Sequence, residues 1–95
     1  MPSFRKRPER IEAFQFIPIW NSLAGFCADN PPTWFLQAEQ EAKAKVWGDD
    51  DGPYCMIDTA EGRMKVESGD WIARDSLQRL YAYNAETFAA TYELE

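Results

Sequence analysis

Hydrophobic and polar positions alternate along several short stretches of the chain, and a period of two is the pattern of a β-strand. The first such stretch, RIEAFQFI at residues 10–17, ends at Pro18 and carries apolar side chains on both faces. We therefore expect a central strand that is covered on both sides, with Gln15 as a buried amide. Further strands are predicted at residues 54–58, 63–67, 71–74 and 79–83.

A helical spacing follows the first strand. Asn21 is a suitable N-cap, and Leu23, Phe26 and Cys27 fall on one side of a helix that begins there. Two consecutive prolines at positions 31–32 end this stretch, because proline cannot continue a helix. The pattern therefore predicts a first short helix, although a glycine within it weakens the helix.

Two more helices are predicted further along the chain. Thr33 is expected to cap a second helix over about residues 34–44, with lysines suited to its C-terminal end. Asn84 is a good N-cap for a third helix, in which the apolar residues recur at helical spacing. These residues are Ala85, Phe88, Ala89 and Tyr92.

Turn residues separate the predicted strands. The stretch Thr59-Ala60-Glu61-Gly62 is typical of a β-hairpin in which glycine supplies a positive φ. The stretch Ser68-Gly69-Asp70 predicts a turn whose aspartate accepts hydrogen bonds from nearby backbone N–H groups. The order of elements indicates an α+β fold. We expect a small curled antiparallel or mixed sheet, or a partly open barrel, with two helices in the N-terminal half and a short C-terminal helix.

Length and charge constrain the number of domains and the kinds of partner. A chain of 95 residues is expected to form a single domain over residues 1–95, with a flexible basic arm at residues 1–9. The net charge of −6 disfavours direct nucleic-acid binding and is compatible with a basic protein partner. The alternative is that this net charge serves only to keep the protein soluble. No stretch is long enough to span a membrane, so we expect a cytoplasmic protein with no membrane partner.

The residue types narrow the chemistry. The chain has no histidine, no P-loop and no Gly-x-Ser-x-Gly motif, so we expect neither an enzyme nor a cofactor. Cys27 and Cys55 are interpreted as buried thiols rather than as a disulfide. The acidic run at residues 49–51 is read as a solvated turn, because metal loops space their ligands so that alternate residues converge.

Aromatic and basic residues near the C-terminus form the candidate site. Trp71 is expected to anchor the core, and the alternative is a stacking platform shared with two tyrosines of the next strand. Arg74 is interpreted either as an ion-pair partner of Asp75, Glu12 or Glu93 or as a clamp for a ligand. A pocket for a nucleotide or another small anion would use six residues. These are Gln15, Trp71, Arg74, Arg79, Tyr81 and Tyr83.

Four stretches of the chain resemble, in order and spacing, a family of small phage and prophage proteins of uncharacterised function. The matching features are a basic-Pro-x-x-Ile-Glu-Ala-x-Gln start, a Thr-x-Glu-Gly hairpin, a Gly-Asp-Trp-Ile turn and a Phe-x-x-Thr-Tyr-Glu end. The stretch PPTWFLQA also belongs to the likeness. The chain departs from the family at residues 75–79, where DSLQR stands in place of Gly-Val-x-Gly-Glu. The resemblance implies a biological context rather than a chemistry.

The resulting hypothesis is a small non-enzymatic phage-type accessory protein that binds a host protein, with an anti-defence or regulatory role. The alternative is a module that sequesters a nucleotide or another small anion. A third hypothesis is a structural or assembly protein of the phage particle. The oligomeric state stays open, and a homodimer is compatible with the sequence.

Overall fold

The computed structural model describes residues 11–23, 25–50 and 52–91, so the predicted basic arm at 1–9 lies outside the described residues. Eight strands and two helices follow one another in this part of the chain. They are β1 (Glu12–Gln15), β2 (Pro18–Asn21), β3 (Gly25–Ala28), α1 (Thr33–Gln40), β4 (Ala44–Asp49), β5 (Gly52–Thr59), β6 (Gly62–Glu67), β7 (Trp71–Arg74), β8 (Leu80–Tyr83) and α2 (Ala85–Thr91).

The strands form three small antiparallel sheets, which have the orders β1-β7-β8, β2-β3 and β4-β5-β6. The fold is therefore mostly β, and the predicted α+β class was wrong. Within the described ranges the N-terminal half holds one helix rather than two, and the sheets do not form a partly open barrel. The difference arises because the stretch predicted as the first helix contains strand β3, and because residues 44–49, where no strand was predicted beyond the second helix, form β4.

The first predicted helix is a β-hairpin. In the register of β2 and β3, Trp20 faces Phe26, and Asn21 faces Gly25. The Asn21 side chain does cap a turn, because its Oδ1 accepts a hydrogen bond of 2.8 Å from the Leu23 N–H. An asparagine that bonds two residues ahead makes a tight Asx turn, so the same side-chain chemistry starts a hairpin here. Gly25 completes the turn at φ +81°.

The second predicted helix is shorter than expected. Helix α1 begins at Thr33, with Pro32 as its N-cap, so the prediction that Thr33 is the cap was wrong. The helix stops because Ala42 adopts φ +61°. The Lys43 N–H then donates to the Ala38 carbonyl at 2.9 Å, and the Ala42 N–H to the Glu39 carbonyl at 3.1 Å. This pair of bonds is a Schellman motif, and it turns the chain into β4.

Strand β1 lies at a sheet edge, paired with β7, so the prediction of a central strand was wrong. Gln15 is exposed rather than buried, and its Nε2 donates to the Gly69 carbonyl at 2.9 Å. Two backbone bonds between Phe16 and the 69–70 turn continue this contact, at 2.7 and 2.9 Å. The amide therefore helps to hold the turn that leads into β7.

Three local predictions were confirmed. The hairpin between β5 and β6 turns at Gly62 with φ +116°, and the Thr59 hydroxyl donates to the Gly62 carbonyl at 2.7 Å. Asp70 Oδ2 accepts a hydrogen bond of 3.1 Å from the Glu67 N–H in its own turn. Asn84 Oδ1 caps α2 through the Thr87 N–H at 2.7 Å. Each depends on residues close in sequence, which is why the sequence alone predicted them.

The hydrophobic core draws its side chains from most of these elements. Its largest fully buried members are Phe16, Phe35, Cys55, Ile57, Val66 and Ile72. Both cysteines are free thiols, as predicted, although Cys27 is only half-buried. Burial raises the pKa of Cys55 to about 12, so this thiol stays protonated and packs as a small apolar group.

We predict that Ala42→Gly stabilises the protein. The left-handed conformation at φ +61° is costly for a residue with a Cβ and free for glycine. The free energy of unfolding in urea should rise by about 1 kcal/mol. Ala89→Gly, at an exposed position within α2, is the matched control and should lower it by about 0.5–1 kcal/mol. A loss of stability for Ala42→Gly would contradict the prediction.

Candidate functional site

The strand register separates the six residues predicted to form a ligand pocket. Gln15, Trp71 and Tyr83 face one another across β1, β7 and β8, and Tyr81 shares their face because it lies two residues from Tyr83. Arg74 pairs with Leu80, which belongs to the core. The structure therefore places Arg74 on the opposite face of this sheet from the predicted aromatic partners.

The aromatic face of the sheet is covered by α2. The Trp71 ring stacks on Phe88 with ring centroids 4.3 Å apart and planes 7° from parallel. Tyr83 also contacts Phe88, with centroids 6.0 Å apart, and Tyr81 stacks near Tyr83 at 6.3 Å. Trp71 is half-buried in this separate layer rather than in the core, contrary to the prediction. One face of the expected stacking platform is thus occupied by the protein itself.

Arg74 is held by structural contacts. Its Nη2 lies 3.0 Å from Glu12 Oε2, and its guanidinium lies 5.3 Å from the centroid of the Trp34 ring. Of the predicted ion-pair partners in the described ranges, Glu12 is the one that pairs with Arg74, and Glu93 lies outside the described residues. The cleft beside Arg74, which Lys43 and Gln78 also line, has a volume of about 20 Å³. A cavity of this size has room for a water molecule and not for a nucleotide.

Asp75 organises the turn between β7 and β8. Its carboxylate is almost fully buried and accepts four hydrogen bonds of 2.7–2.9 Å. They come from the backbone N–H groups of Leu77 and Arg79, from Arg79 Nε and from the Tyr81 hydroxyl. Burial alone would raise the pKa of Asp75, but these hydrogen bonds outweigh it and lower the pKa to about 2. Arg79 and Tyr81, two predicted ligand contacts, therefore bind this carboxylate.

The turn at 75–79 is also where the chain departs from the phage-family pattern. Gln78 stands at the second glycine of that pattern and adopts φ +64°, a conformation that favours glycine. The backbone bonds between Asp75 and Arg79 and from Gln78 to Asp75 hold it there, at 3.1 and 3.0 Å. A turn built around a buried carboxylate therefore stands where the resembled pattern has two glycines. The sequence signal for this is an aspartate that opens a turn.

Exposed apolar residues concentrate on the β2–β3 hairpin and the segment before it. Eight large hydrophobic residues in the described ranges are exposed, of which four lie within residues 17–23 and the other four are scattered. Leu23, at the tip of the hairpin, is 97% exposed, and Trp20 is 66% exposed. Ile19 lies on the other face of β2 at 41%. We call Ile19, Trp20 and Leu23 the hairpin patch.

The hairpin is positioned by one close contact. A Cβ added to Gly48 of β4 would overlap the Phe26 ring atoms Cδ2 and Cε2, so this ring lies directly on the glycine. Trp20 packs edge-on against Phe26, with ring centroids 5.0 Å apart. The absence of a side chain at Gly48 therefore lets Phe26 hold the hairpin against β4, while Trp20 and Leu23 remain exposed.

Acidic residues follow the glycine on which the Phe26 ring lies. Asp49 is the last residue of β4, and Asp50 begins the connection to β5. The described part of the chain contains six lysines and arginines, and five of them form ion pairs with carboxylates. The sixth, Lys45, lies 3.8 Å from the centroid of the Trp47 ring. The acidic residues that outnumber these cations lie at exposed or half-buried positions.

Sequence reasoning missed the hairpin patch because it assigned Leu23 and Phe26 to the buried side of a helix. The signal that favours a hairpin is the sequence Asn21-Ser22-Leu23-Ala24-Gly25, where asparagine and glycine bracket a three-residue loop. Periodicity cannot by itself distinguish a short apolar strand from a helix of the same length. The position of Gly48 against Phe26 is a tertiary contact with no signal in the sequence.

Comparison of the chain with protein-family models, with curated proteins and with solved structures found no match. The likeness to phage proteins stays a prediction that depends on the sequence motifs. No helix in the described ranges is both long and apolar enough to cross a membrane. Among the same residues, no three acidic or cysteine side chains are grouped so that they could hold a metal ion.

We predict that Gly48→Ala destabilises the protein through the Phe26 contact. The new methyl group must displace the ring, because its position overlaps two ring atoms. The free energy of unfolding should fall by about 1–3 kcal/mol, which is typical of overpacking. The same substitution in a Phe26→Ala background should cost under about 0.5 kcal/mol, since the overlap is gone. An equal cost in both backgrounds would show that the ring is not the cause.

We predict that Asp75→Asn lowers stability in a pH-dependent way. A carboxylate whose pKa is lowered by folding contributes stability that is present above its unfolded pKa, and this contribution is lost as pH falls toward about 2. The variant should be less stable than wild type by about 2 kcal/mol at pH 7. Thermal or urea unfolding between pH 7 and pH 2 should show the difference shrinking below about pH 4. A difference that stays constant to pH 2 would refute the assignment.

Proposed function

We propose that the protein is a small non-enzymatic accessory protein of phage type that acts in the cytoplasm of a bacterial host by binding a host protein. The hairpin patch is the contact surface in this proposal. The observation that carries it is the concentration of four exposed hydrophobic residues within residues 17–23. Exposed apolar side chains that cluster on one hairpin are typical of an interaction site, whereas singly scattered ones are ordinary on a protein surface.

The arrangement of the hairpin supports this use. Leu23 is held at the tip by the Asx turn of Asn21, and the hairpin is held by Phe26 on Gly48. A contact residue that is fixed before binding loses less conformational entropy when the complex forms. Trp20 is also a residue type that is enriched among the side chains that dominate binding energy.

The non-enzymatic part of the proposal is supported by the state of two reactive groups. Cys55 is fully buried and its pKa is raised to about 12 by that burial, which is the opposite of an activated thiolate. The Asp75 carboxylate is already occupied by four hydrogen bonds. Because its pKa is about 2, it is a poor proton acceptor near neutral pH.

The biological context in this proposal comes from the resemblance to phage and prophage proteins, and an anti-defence or regulatory role fits that context. No observation favours the nucleotide-binding alternative, because Arg74 lies on the opposite face from Tyr81 and Trp71. The particle-assembly alternative has no structural feature of its own to support it.

The test compares two exposed leucines in turns. Leu23 is 97% exposed in the hairpin patch, and Leu77 is 69% exposed in the β7–β8 turn. Wild type, Leu23→Asn and Leu77→Asn are immobilised and exposed to bacterial lysate, and the captured proteins are quantified by mass spectrometry. We expect a specific protein to be captured by wild type and Leu77→Asn and reduced at least about tenfold with Leu23→Asn.

Unfolding curves provide the control for this experiment. Both leucine side chains are exposed, so each substitution should change the free energy of unfolding by less than about 0.5 kcal/mol. The same set of captured proteins with Leu23→Asn as with wild type would refute the hairpin patch as the contact surface. Loss of capture with Leu77→Asn alone would move the surface to the β7–β8 turn.

A further inference from the structure

We infer that the partner of the hairpin patch is an extended, uncharged protein segment that adds a strand to the free edge of β2. This inference rests on the proposed function and adds to it the conformation and the chemistry of the bound segment. It joins three observations, which are outward backbone groups on β2, the absence of charge around them and an apolar side chain on each face of the strand.

Strand β2 has a free edge within the part of the chain that the structure describes. Its sheet has the order β2-β3, so one side of β2 is paired with β3 and no described strand pairs with the other side. The last three residues of the strand are exposed. An unpaired strand edge presents backbone N–H and C=O groups to which an extended segment of another protein can bond.

The hydrogen bonds of the hairpin alternate along its two strands. The Asp29 N–H donates to the Ile17 carbonyl at 2.7 Å, and this pair continues the register of β2 and β3. Bonded and non-bonded pairs alternate in an antiparallel ladder, so the next bonded pair is Ile19 with Cys27. The residues of β2 between the bonded pairs therefore direct their backbone groups away from β3.

These outward backbone groups belong to Pro18 and Trp20. Trp20 offers an N–H donor and a C=O acceptor, whereas Pro18 offers an acceptor alone because proline has no N–H. Proline fits this position because the ladder with β3 needs no N–H there. An added strand can form three hydrogen bonds at this edge, two with Trp20 and one with Pro18. A bound segment of about three to five residues is long enough to make them.

No charged side chain lies along this edge. Residues 13–28, which include both strands of the hairpin, contain no Asp, Glu, Lys or Arg, although 27% of the whole chain is charged. Natural sheet edges are often protected from strand addition by charged side chains, above all by lysine. The exposed edge strand β6 is of that kind, since it carries Arg63, Lys65 and Glu67. The neutral edge of β2 therefore fits an uncharged segment, and it offers no cation to a phosphate or a lipid headgroup.

Both faces of β2 beside this edge are apolar. Ile19 and Trp20 are neighbours along the strand, so their side chains lie on opposite faces, where they are 41% and 66% exposed. A strand laid beside β2 places its own side chains next to Ile19 on one face and next to Trp20 on the other. Strands that are covered on both faces have continuous hydrophobic runs rather than alternating ones. We therefore expect consecutive apolar residues in the bound segment, with β-branched and aromatic types enriched.

A second copy of this chain is a less suitable occupant of the edge. Each copy carries a net charge of −6, and two bodies of like charge repel each other. A symmetric antiparallel pair of β2 strands centred on Trp20 would place Pro18 of each copy opposite Ser22 of the other. Proline has no N–H to donate to that serine, so the pairing loses a hydrogen bond at both ends. A separate apolar segment has neither disadvantage.

The test selects binders on the whole 95-residue chain from a displayed library of random linear peptides of about 12 residues. Each amide of the strongest peptide is then N-methylated in turn, which removes one hydrogen-bond donor at a time. Amide hydrogen exchange of the protein is followed by NMR with and without the peptide, and the Trp20 N–H is the readout. The matched control is the Lys65 N–H on the charged edge of β6. It points outward because the Glu67 N–H, two residues on, bonds Asp70 outside the ladder.

The expected result has three parts. In the free protein the Trp20 N–H exchanges faster than the Ile19 N–H, because only the latter is bonded within the hairpin. The peptide slows exchange at Trp20 at least about tenfold and changes exchange at Lys65 less than about twofold. N-methylation weakens binding at least about tenfold at two peptide positions that are separated by one tolerant position, since alternate amides of an added strand face β2.

A pair of variants tests the edge from the side of the protein. Ile19→Lys places a lysine on β2, and Met64→Lys is the matched control, because Met64 lies on the edge strand β6 and is 39% exposed. We expect Ile19→Lys to weaken the peptide at least about tenfold and Met64→Lys to change its affinity less than about twofold. Both new side chains can keep their ammonium in water, so urea unfolding should show that both variants are folded.

Other outcomes separate this inference from the proposed function. A peptide that needs Ile19 but tolerates N-methylation at every position, and that leaves exchange at Trp20 unchanged, would overturn strand addition and leave the hairpin patch in place. Enriched peptides that depend on charged residues would overturn the uncharged segment in the same way. Peptide pools that are the same on Ile19→Lys and Leu23→Asn as on wild type, empty pools included, would count against both. Sedimentation that shows self-association of wild type, abolished by Ile19→Lys, would identify a second copy as the occupant and overturn the inference.

Discussion

The fold depends on one core that is shared by three sheets and a helix. Phe16, Phe35, Ile57 and Ile72 are all fully buried and come from four separate parts of the chain. The sheets have three, two and three strands, and sheets this small are marginally stable on their own. Each sheet therefore gains its stability by covering the others. Helix α1 closes the core with Phe35 and Ala38.

This sharing leaves the β2–β3 hairpin in a distinct position. The core takes Ala28 from the base of the hairpin, while Phe26 reaches β4 only through the space left at Gly48. Among the described residues of the hairpin, Ala28 is the one that belongs to the core, and Trp20 and Leu23 are exposed to water. Their exposure is a consequence of how the hairpin is attached, and it leaves an apolar surface that a partner can bury.

The candidate ligand pocket shows why a constellation of suitable residues is insufficient. Gln15, Trp71, Tyr81 and Tyr83 do share one face of a sheet, as their alternation suggested. Arg74 belongs to the same sheet but lies on its other face, because adjacent positions in a strand point to opposite sides. The tyrosines and Arg79 are then engaged by Phe88 and Asp75. The six residues predicted to form one pocket therefore lie on opposite faces of the sheet and take part in separate contacts.

The sequence by itself determined the local features whose chemistry is contained within a few residues. The Thr59–Gly62 hairpin, the Asp70 turn and the Asn84 cap of α2 all depend on side chains that bond backbone groups two or three positions away. Tertiary structure alone decided whether residues 18–28 form a helix or a hairpin, where α1 ends and what the hairpin leaves exposed. Those outcomes depend on contacts between distant residues, such as Phe26 with Gly48, and on which of two near-equal local conformations buries more of the chain.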